Sequence, residues 1–228
     1  MNDSIILDSV PFQPDFPALM KRLRIKEGSS SQNDLLDLLE EAQQVARPKV
    51  LYRIGYIEQK NEQEVSISSF TFTSRVLRVN LEGINRVFIY LCTCGTEIHE
   101  WSKSFSDLIH QFWAEALAEA ALASAFQAFE DEINSRYGEA RYSDMNPGSL
   151  EDWPIEEQIP LFLFLGDPQR AIGVELTPSL LMVPTKSVSG LRFPAEESFA
   201  SCQLCPREVC PSRRAPYDSS LYKTKYQE

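Results

Sequence analysis

The ten residues RVFIYLCTCG, Arg86 to Gly95, give the clearest indication of the fold. Their apolar side chains follow one another without the alternation that marks a strand with one solvent-facing side. A continuous apolar run of this length is typical of a strand buried on both faces. We therefore expect a central strand here, with its two faces covered by the elements that precede and follow it.

The longest predicted helix comes after this strand, from about Ser106 to Tyr137, with Gly138 as a natural end. Apolar side chains recur along it at helical spacing. They are Ile109, Phe112, Trp113, Ala116, Ala120, Phe126, Phe129 and Ile133. A shorter leucine-rich helix is predicted over 32–46, and another, IEEQIPLFLFLG, ends at Gly166.

Strand patterns flank these helices. KVLYRIGYIEQ, 49–59, alternates apolar and polar residues, and VSISSFTF, 65–72, predicts one further strand. Ser74 is placed to cap a short helix that runs to Leu81, and the prolines before residue 18 predict an extended start.

Helices and strands are mixed without strict alternation, so the sequence predicts an α+β fold. We expect a mixed or antiparallel twisted sheet with long helices packed on it. The predicted domain covers 1–200, with 1–48 as an N-terminal helical extension, and a cysteine-containing C-terminal tail covers 201–228.

The charge balance narrows the classes of partner that we expect the protein to bind. The 228 residues carry 22 basic and 33 acidic side chains, a net charge of −11. This disfavours nucleic acid and anionic membrane surfaces, because both require clustered lysine and arginine. The longest apolar run, near 161–165, is too short to cross a bilayer. Since the N-terminus lacks a basic, cleavable leader, a cytoplasmic location is expected.

Three cysteines of the tail, Cys202, Cys205 and Cys210, have the spacing C-x2-C-x4-C. In a reducing compartment such clustered thiols favour metal ligation, either of zinc or of an iron–sulfur cluster. Free or disulfide-forming thiols remain the alternative. Among the other cysteines Cys94 is the best fourth ligand, and an external ligand or an open position is the other possibility.

No catalytic constellation is visible. The two histidines, His99 and His110, lack a matching serine, cysteine or aspartate pattern, and neither a Walker loop nor G-x-G-x-x-G occurs. We therefore predict no catalytic residue.

Binding residues are easier to nominate. Glu115 and Glu119 share one face of the long helix among small alanines, which would leave room for a cationic ligand or form an acidic solvated face. Arg141 precedes the Pro147-Gly148 pair and can either fork onto a carboxylate or lie on the surface.

The stretch GVELTPSLLMVPTKSVSGLRF, Gly173 to Phe193, resembles the activation (reactivation) domain of cobalamin-dependent methionine synthase. The form it resembles occurs as a short separate protein. The matching residues are Leu176, Thr177, Ser179, Met182, Pro184 and the run Ser187-Val188-Ser189-Gly190. Upstream, Arg141 with Pro147-Gly148 is similar to a loop that contacts S-adenosylmethionine in that family, although Ser149 replaces the family's tyrosine.

The resemblance implies one groove for S-adenosylmethionine. Arg141 would hold the carboxylate of the ligand, and Glu115 and Glu119 would lie near its positive groups. The expected contact residues are Glu115, Glu119, Arg141, Pro147, Gly148, Ser187, Ser189 and Gly190.

The resemblance also implies a function. The protein would present the methyl donor to a corrinoid carried by a separate methionine synthase or related corrinoid methyltransferase, while a reductant protein supplies an electron. Apart from the resemblance, the cysteine tail suggests that an iron–sulfur cluster there could deliver that electron. The alternative is a zinc or iron–sulfur protein whose cysteines serve electron transfer or structure.

Overall fold

A computed structural model describes residues 4–196, 199–210 and 213–227. The predicted tail, 201–228, is thus described except at 211, 212 and 228. Within these ranges, the helices are α1 (Phe16–Leu23), α2 (Ser30–Val45), α3 (Arg75–Asn80), α4 (Thr96–Lys103), α5 (Leu108–Tyr137), α6 (Gln158–Leu165) and α7 (Pro168–Ile172). The strands are β1 (Ile5–Leu7), β2 (Lys49–Lys60), β3 (Glu64–Ile67), β4 (Phe70–Thr73), β5 (Arg86–Thr93), β6 (Tyr142–Met145), β7 (Glu175–Leu176), β8 (Met182–Val183) and β9 (Ser187–Pro194).

The described strands form one antiparallel sheet in the order β4-β3-β2-β5-β9-β6, with β1 paired to β2, and a separate β7-β8 ribbon. The α+β prediction with an antiparallel sheet is confirmed. β5 is the buried central strand that its apolar run predicted, because seven of its eight residues are buried.

Each face of β5 belongs to a different core. Val87, Ile89 and Leu91 pack against α3, α6 and α7, whereas Phe88 and Tyr90 pack under α5. A third cluster, formed by α1, α2, α4 and the first half of α5, extends the core beyond the end of the sheet. The two-residue period of a strand therefore explains why the run in β5 is apolar throughout.

Two local predictions are wrong. The segment 65–72 is a hairpin, β3 and β4, because Ser68 and Ser69 take positive φ values of 46° and 71° and turn the chain back. The start of the chain is not extended throughout either, since α1 begins near Pro17. Asp15 caps this helix by accepting a hydrogen bond from the backbone N–H of Ala18 at 3.0 Å, and proline suits the first turn.

The C-terminal segment packs against the rest of the folded domain. Tyr226 is 1% exposed, donates a hydrogen bond to Asn80 Oδ1 at 3.0 Å, and packs with Phe199 in the core beneath β9. Ala200 bridges to Asp144 of β6. The cysteine-bearing loop between these anchors is therefore held against the β6 edge of the sheet.

Candidate ligand-binding groove

The edge of β9 is covered over only part of its length. β6 pairs with its second half, from Met145 opposite Leu191 to Tyr142 opposite Pro194. In the part of the chain that the structure describes, no strand continues along Ser187–Gly190 on that side. Backbone groups at a strand edge are ready hydrogen-bonding partners, so this open edge is a natural place for a ligand.

A groove of about 600 Å³ runs along this open edge. Pro147 and Ser149 of the turn after β6 form one end, and Ser187 to Ser189 of β9 form the floor. The remaining lining residues are Asn146, Ile155, Gln158, Ser179, Leu180, Leu181, Met182 and Thr185. The structure therefore brings together three residues that the sequence nominated: Pro147, Ser187 and Ser189.

Gly148 allows the turn beside the groove. Its φ is 79°, its N–H donates to the Trp153 carbonyl at 2.8 Å, and a Cβ here would lie 2.7 Å from Ile155 Cδ1. Only glycine can adopt this positive φ and also leave room for Ile155 without strain. The Pro-Gly pair thus shapes the wall that carries Ile155.

Asn146 links the turn to β9. Its side-chain Nδ2 donates to Tyr90 Oη at 2.9 Å and to the Ser189 carbonyl at 2.8 Å. Gly190 makes this possible, because a Cβ at 190 would lie 2.5 Å from Asn146 Nδ2 and 2.5 Å from the Met145 carbonyl oxygen. Gly190 therefore shapes the groove without offering a side chain to it. Sequence reasoning missed Asn146, although its place directly before Pro-Gly was a signal.

Two polar atoms at the groove lack a partner. Gln158 is 4% exposed and Ser189 is 2% exposed, and neither Gln158 Oε1 nor Ser189 Oγ has a hydrogen-bond partner among the described residues. Buried polar groups are nearly always hydrogen-bonded, so these two atoms, which lie beneath the surface of the groove, are exceptional. No sequence signal pointed to Gln158.

The acidic pair of α5 lies elsewhere. Glu115 Oε2 is 3.1 Å from Lys186 Nζ, and Glu115 Oε1 accepts a hydrogen bond from Ser102 at 3.1 Å. Glu119 Oε2 is 2.5 Å from a guanidinium nitrogen of Arg22. α5 covers the face of the sheet opposite α6, which contributes Gln158 to the groove. Glu115 is thus paired with Lys186, the residue between Thr185 and Ser187 of the groove lining, and Glu119 is paired with Arg22. Neither carboxylate is among the residues that line the groove.

Arg141 lies at the far end of β9. Its carbonyl accepts a hydrogen bond from the N–H of Ala195 at 2.9 Å, and its guanidinium donates to the Glu196 carbonyl at 2.9 Å. Ser187 and Pro194 begin and end β9, and the distance between them is about 24 Å at about 3.4 Å per residue. The structure therefore does not bring Arg141 together with Pro147, Ser187 and Ser189 in one groove. The antiparallel register separates them.

Cys94 is not near the tail cysteines. It is fully buried in the helical cluster of α2, α4 and α5, whereas the tail packs through Leu204 on the core of the other face. Its thiol donates to the Gly95 carbonyl at 3.4 Å, and burial raises its pKa to about 12. The structure therefore does not bring Cys94 together with Cys202, Cys205 and Cys210.

The cysteine loop, residues 202–210, is organised around Arg213. Its guanidinium donates to the carbonyls of Cys202 at 3.0 Å and Cys205 at 3.3 Å, and also to that of Arg207. Cys202, Cys205 and Cys210 are partly exposed and free. Across residues 4–196, 199–210 and 213–227, no three or more His, Cys, Asp or Glu side chains are grouped as metal ligands would be.

The side chain of Cys202 has a distinct electrostatic setting. Partial burial raises its pKa, but the backbone N–H groups of Arg214 and Ala215 and the charges of Arg214 and Arg213 lower it more, so the net pKa is lowered. The same Arg214 charge acts on Tyr90, which holds Asn146 at the groove. The segment that begins the cysteine loop is joined to β6 by the bridge between Ala200 and Asp144.

Among the described residues, none of the helices combines the length and the apolar character needed to cross a lipid bilayer.

The chain matches no family model and no curated protein sequence. It is similar to a solved structure, the crystal structure of the MetH reactivation domain bound to AdoHcy, with a TM-score of 0.64. The two share 16% identity over 88% of this chain and 81% of that one. This chain therefore has the fold of the MetH reactivation domain.

Proposed function

We propose that the groove binds S-adenosylmethionine and that the protein supports reductive methylation of a corrinoid. The corrinoid would be carried by a separate methionine synthase or related corrinoid methyltransferase, with which the protein would share the cytoplasm. The observation that supports this most is the groove itself. On a fold whose solved relative was crystallised with AdoHcy, it joins the Pro-Gly turn to Ser187–Ser189.

The dimensions and chemistry of the groove suit such a ligand. Its volume of about 600 Å³ lies within the usual range of small-molecule sites, roughly 300–1,000 Å³. Its walls are mainly apolar, and Gln158 Oε1 and Ser189 Oγ offer unused hydrogen-bonding capacity.

In this class of reaction, the sulfonium compound supplies the methyl group and a one-electron donor supplies the electron. The residues of this chain would bind and orient the methyl donor. Asn146 and Gly190 fix the floor of the groove, and the Pro147-Gly148 turn closes one end. Holding two reactants in line lowers a barrier substantially, so orientation alone is a sufficient contribution.

The partner would dock over the open side of the groove. Leu181 and Leu163 are 64% and 63% exposed, and Ile159 is 46% exposed. Leu181 lines the groove, and Ile159 and Leu163 belong to α6, the helix that begins with Gln158. Exposed apolar side chains gathered beside a cleft mark interaction surfaces. We infer that this apolar rim contacts the corrinoid-binding partner.

The test is calorimetric titration of the purified protein with S-adenosylmethionine and S-adenosylhomocysteine. Ser149→Trp places an indole at the mouth of the groove from an exposed position, so it should abolish binding without unfolding the protein. Ser9→Trp, at an exposed position on the N-terminal segment, is the matched control and should bind normally. Absence of binding by the wild-type protein would refute the proposal.

A second function rests on the cysteine loop. We propose that Cys202, Cys205 and Cys210 hold zinc or an iron–sulfur cluster, with the remaining position filled from outside the chain. The hydrogen bonds of Arg213 support this. Its guanidinium donates to backbone carbonyls of the loop and so fixes the backbone that carries the thiols. An iron–sulfur cluster at this place could pass on an electron from a reductant protein.

A further inference from the structure

A second groove, of about 870 Å³, lies at the end of β2. Lys49 begins β2 and pairs with Thr93, and Thr93 pairs with Ser187 at the start of β9. Lys60 is the last residue of β2, so this groove and the one beside β9 lie at opposite ends of the sheet. We call it the basic groove, and its lining residues are Lys60, Asn61, Glu62, Gln63, Arg75, Arg78, Tyr222, Tyr226 and Gln227.

Three cations line the basic groove, although the chain as a whole has a net charge of −11. They are Lys60, Arg75 and Arg78, and all three are half-buried. Among the described lining residues Glu62 is the one acid, and it is exposed. Positive charge is therefore concentrated in this groove, and a cleft lined by charge of one sign attracts ligands of the opposite sign.

Backbone carbonyls hold two of these cations in place. Lys60 Nζ donates to the Leu81 carbonyl at 2.7 Å. Arg75 donates from Nε to the Tyr226 carbonyl at 2.8 Å and from Nη1 to the Glu62 carbonyl at 3.0 Å. Neither cation forms an ion pair with a carboxylate of the described residues. Their hydrogen bonds thus fix the orientation of the two groups and leave their charges unneutralised.

Arg78 is the third cation of the basic groove. Its Nε donates to the Asn61 carbonyl at 3.0 Å, and its Nη1 lies 3.1 Å from Glu82 Oε2. A guanidinium has five N–H donors and an ammonium has three, so each of the three cations keeps donors that a ligand can use. The planar fork of arginine matches the oxygens of a phosphoryl group, which favours phosphate over other anions.

We propose that the basic groove binds a ligand with two adjacent phosphoryl groups, either inorganic diphosphate or the diphosphate of a nucleotide. Three fixed cations call for more than one anionic group. The groove volume of about 870 Å³ suits a small molecule, since such sites span roughly 300–1,000 Å³. Tyr222, which is 38% exposed in the wall, offers a ring on which a base can stack. This site does not depend on the proposed binding of S-adenosylmethionine.

Calorimetric titration with pyrophosphate, at low ionic strength and without divalent cations, tests the proposal. Lys60→Met keeps the aliphatic stem and removes the charge, and Arg78→Gln removes a second charge. Each change should weaken binding by about tenfold or more, the scale of one lost hydrogen bond to a charged group. Arg170→Gln is the matched control, because Arg170 is exposed on α7, and Gly173 after α7 approaches Thr96 at the other end of the sheet. All three variants should keep the circular dichroism spectrum of the wild-type protein.

Titration with adenosine diphosphate separates the two sources of the diphosphate. If the ligand is a nucleotide, adenosine diphosphate should bind more tightly than pyrophosphate, and Tyr222→Ala should remove the difference. Equal binding of the two compounds identifies inorganic diphosphate, and both results support the site. Absence of binding by both compounds overturns the proposal, as does binding that Lys60→Met and Arg78→Gln leave unchanged. A glutamate-rich peptide that binds where pyrophosphate does not would also overturn it, in favour of an acidic protein partner.

Discussion

The side-chain amide of Asn146 lies directly over the backbone of Gly190, where a Cβ would be only 2.5 Å from its nitrogen. This contact fixes the end of β6 against β9 at the point where their pairing stops. The glycine of the Ser-Val-Ser-Gly run is thus explained by the approach of another side chain. The floor of the groove depends on it.

Gly190→Ala should therefore destabilise the protein and impair the groove together. The added methyl group must displace Asn146 or the Met145 carbonyl, and overpacking of this kind costs about 1–3 kcal/mol. Urea denaturation measures the loss, and titration with S-adenosylhomocysteine should show weaker binding. Gly83→Ala is the control, because nothing lies within 4 Å of a Cβ there. Its positive φ of 72° should cost about 1 kcal/mol and leave the affinity unchanged.

Arg141→Ala should leave the affinity for S-adenosylmethionine within about twofold of wild type, since the guanidinium lies beyond the far end of β9 and bonds to the Glu196 carbonyl. Calorimetric titration checks this, with Ser149→Trp as the variant that loses binding. A loss of tenfold or more on removing Arg141 would restore the single groove that the sequence suggested and refute the site described above.

The cysteine loop makes a prediction about metal content. Protein purified without oxygen should contain zinc, or iron with sulfide, by elemental analysis, and Cys205→Ser should lose it. Cys94→Ala should retain it, because Cys94 lies in the helical cluster on the other side of the molecule. Metal-free wild-type protein, or equal loss in both variants, would contradict the proposed ligand set.

His99 should make stability depend on pH. It is 2% exposed, its Nε2 has no partner among the described residues, and burial, followed by the charge of Lys103, lowers its pKa from 6.5. The charged groups that act on it are Lys103, Glu100, Glu115 and Lys186. Below about 6.5 the unfolded chain binds a proton that the folded chain resists, so stability should fall as the pH drops and be fully present above that value.

Thermal unfolding between about pH 7.5 and pH 5.5 measures this dependence. His99→Leu should flatten the curve, whereas His110→Gln, which removes a partly exposed imidazole paired with Asp107, should leave the acid-side decline in place. An identical acid-side decline in wild type and His99→Leu would show that other groups are responsible.

The elements that could be predicted from sequence are those with strong periodicity. The apolar run of β5 and the helical repeat of α5 each identify their element. A strand buried on both faces is apolar throughout, whereas a helix buried along one stripe has apolar residues at helical spacing. The β3–β4 turn was missed because Ser68 and Ser69 are unusual residues for positive φ. α1 is missed because closely spaced prolines indicate extended chain, whereas Pro17 lies in the first turn of a helix that begins at Phe16.

The site could be predicted only in part, for a physical reason. Pro147 and Ser187 carry recognisable local patterns, and both line the groove. Arg141 is close to Pro147 in sequence, but the register of β6 with β9 carries it to the other end of the strand. Gln158 lies on a helix whose approach to β9 is decided by packing of Leu161 and Phe162, which no local pattern reports.

The location of the bound ligand tests the central claim most directly. A crystal structure of the protein with S-adenosylhomocysteine should show the ligand in the groove along the open edge of β9, between the Pro147-Gly148 turn and Ser187–Ser189. Density for the ligand beside Glu115 and Glu119 on α5, or at Arg141, would contradict the account.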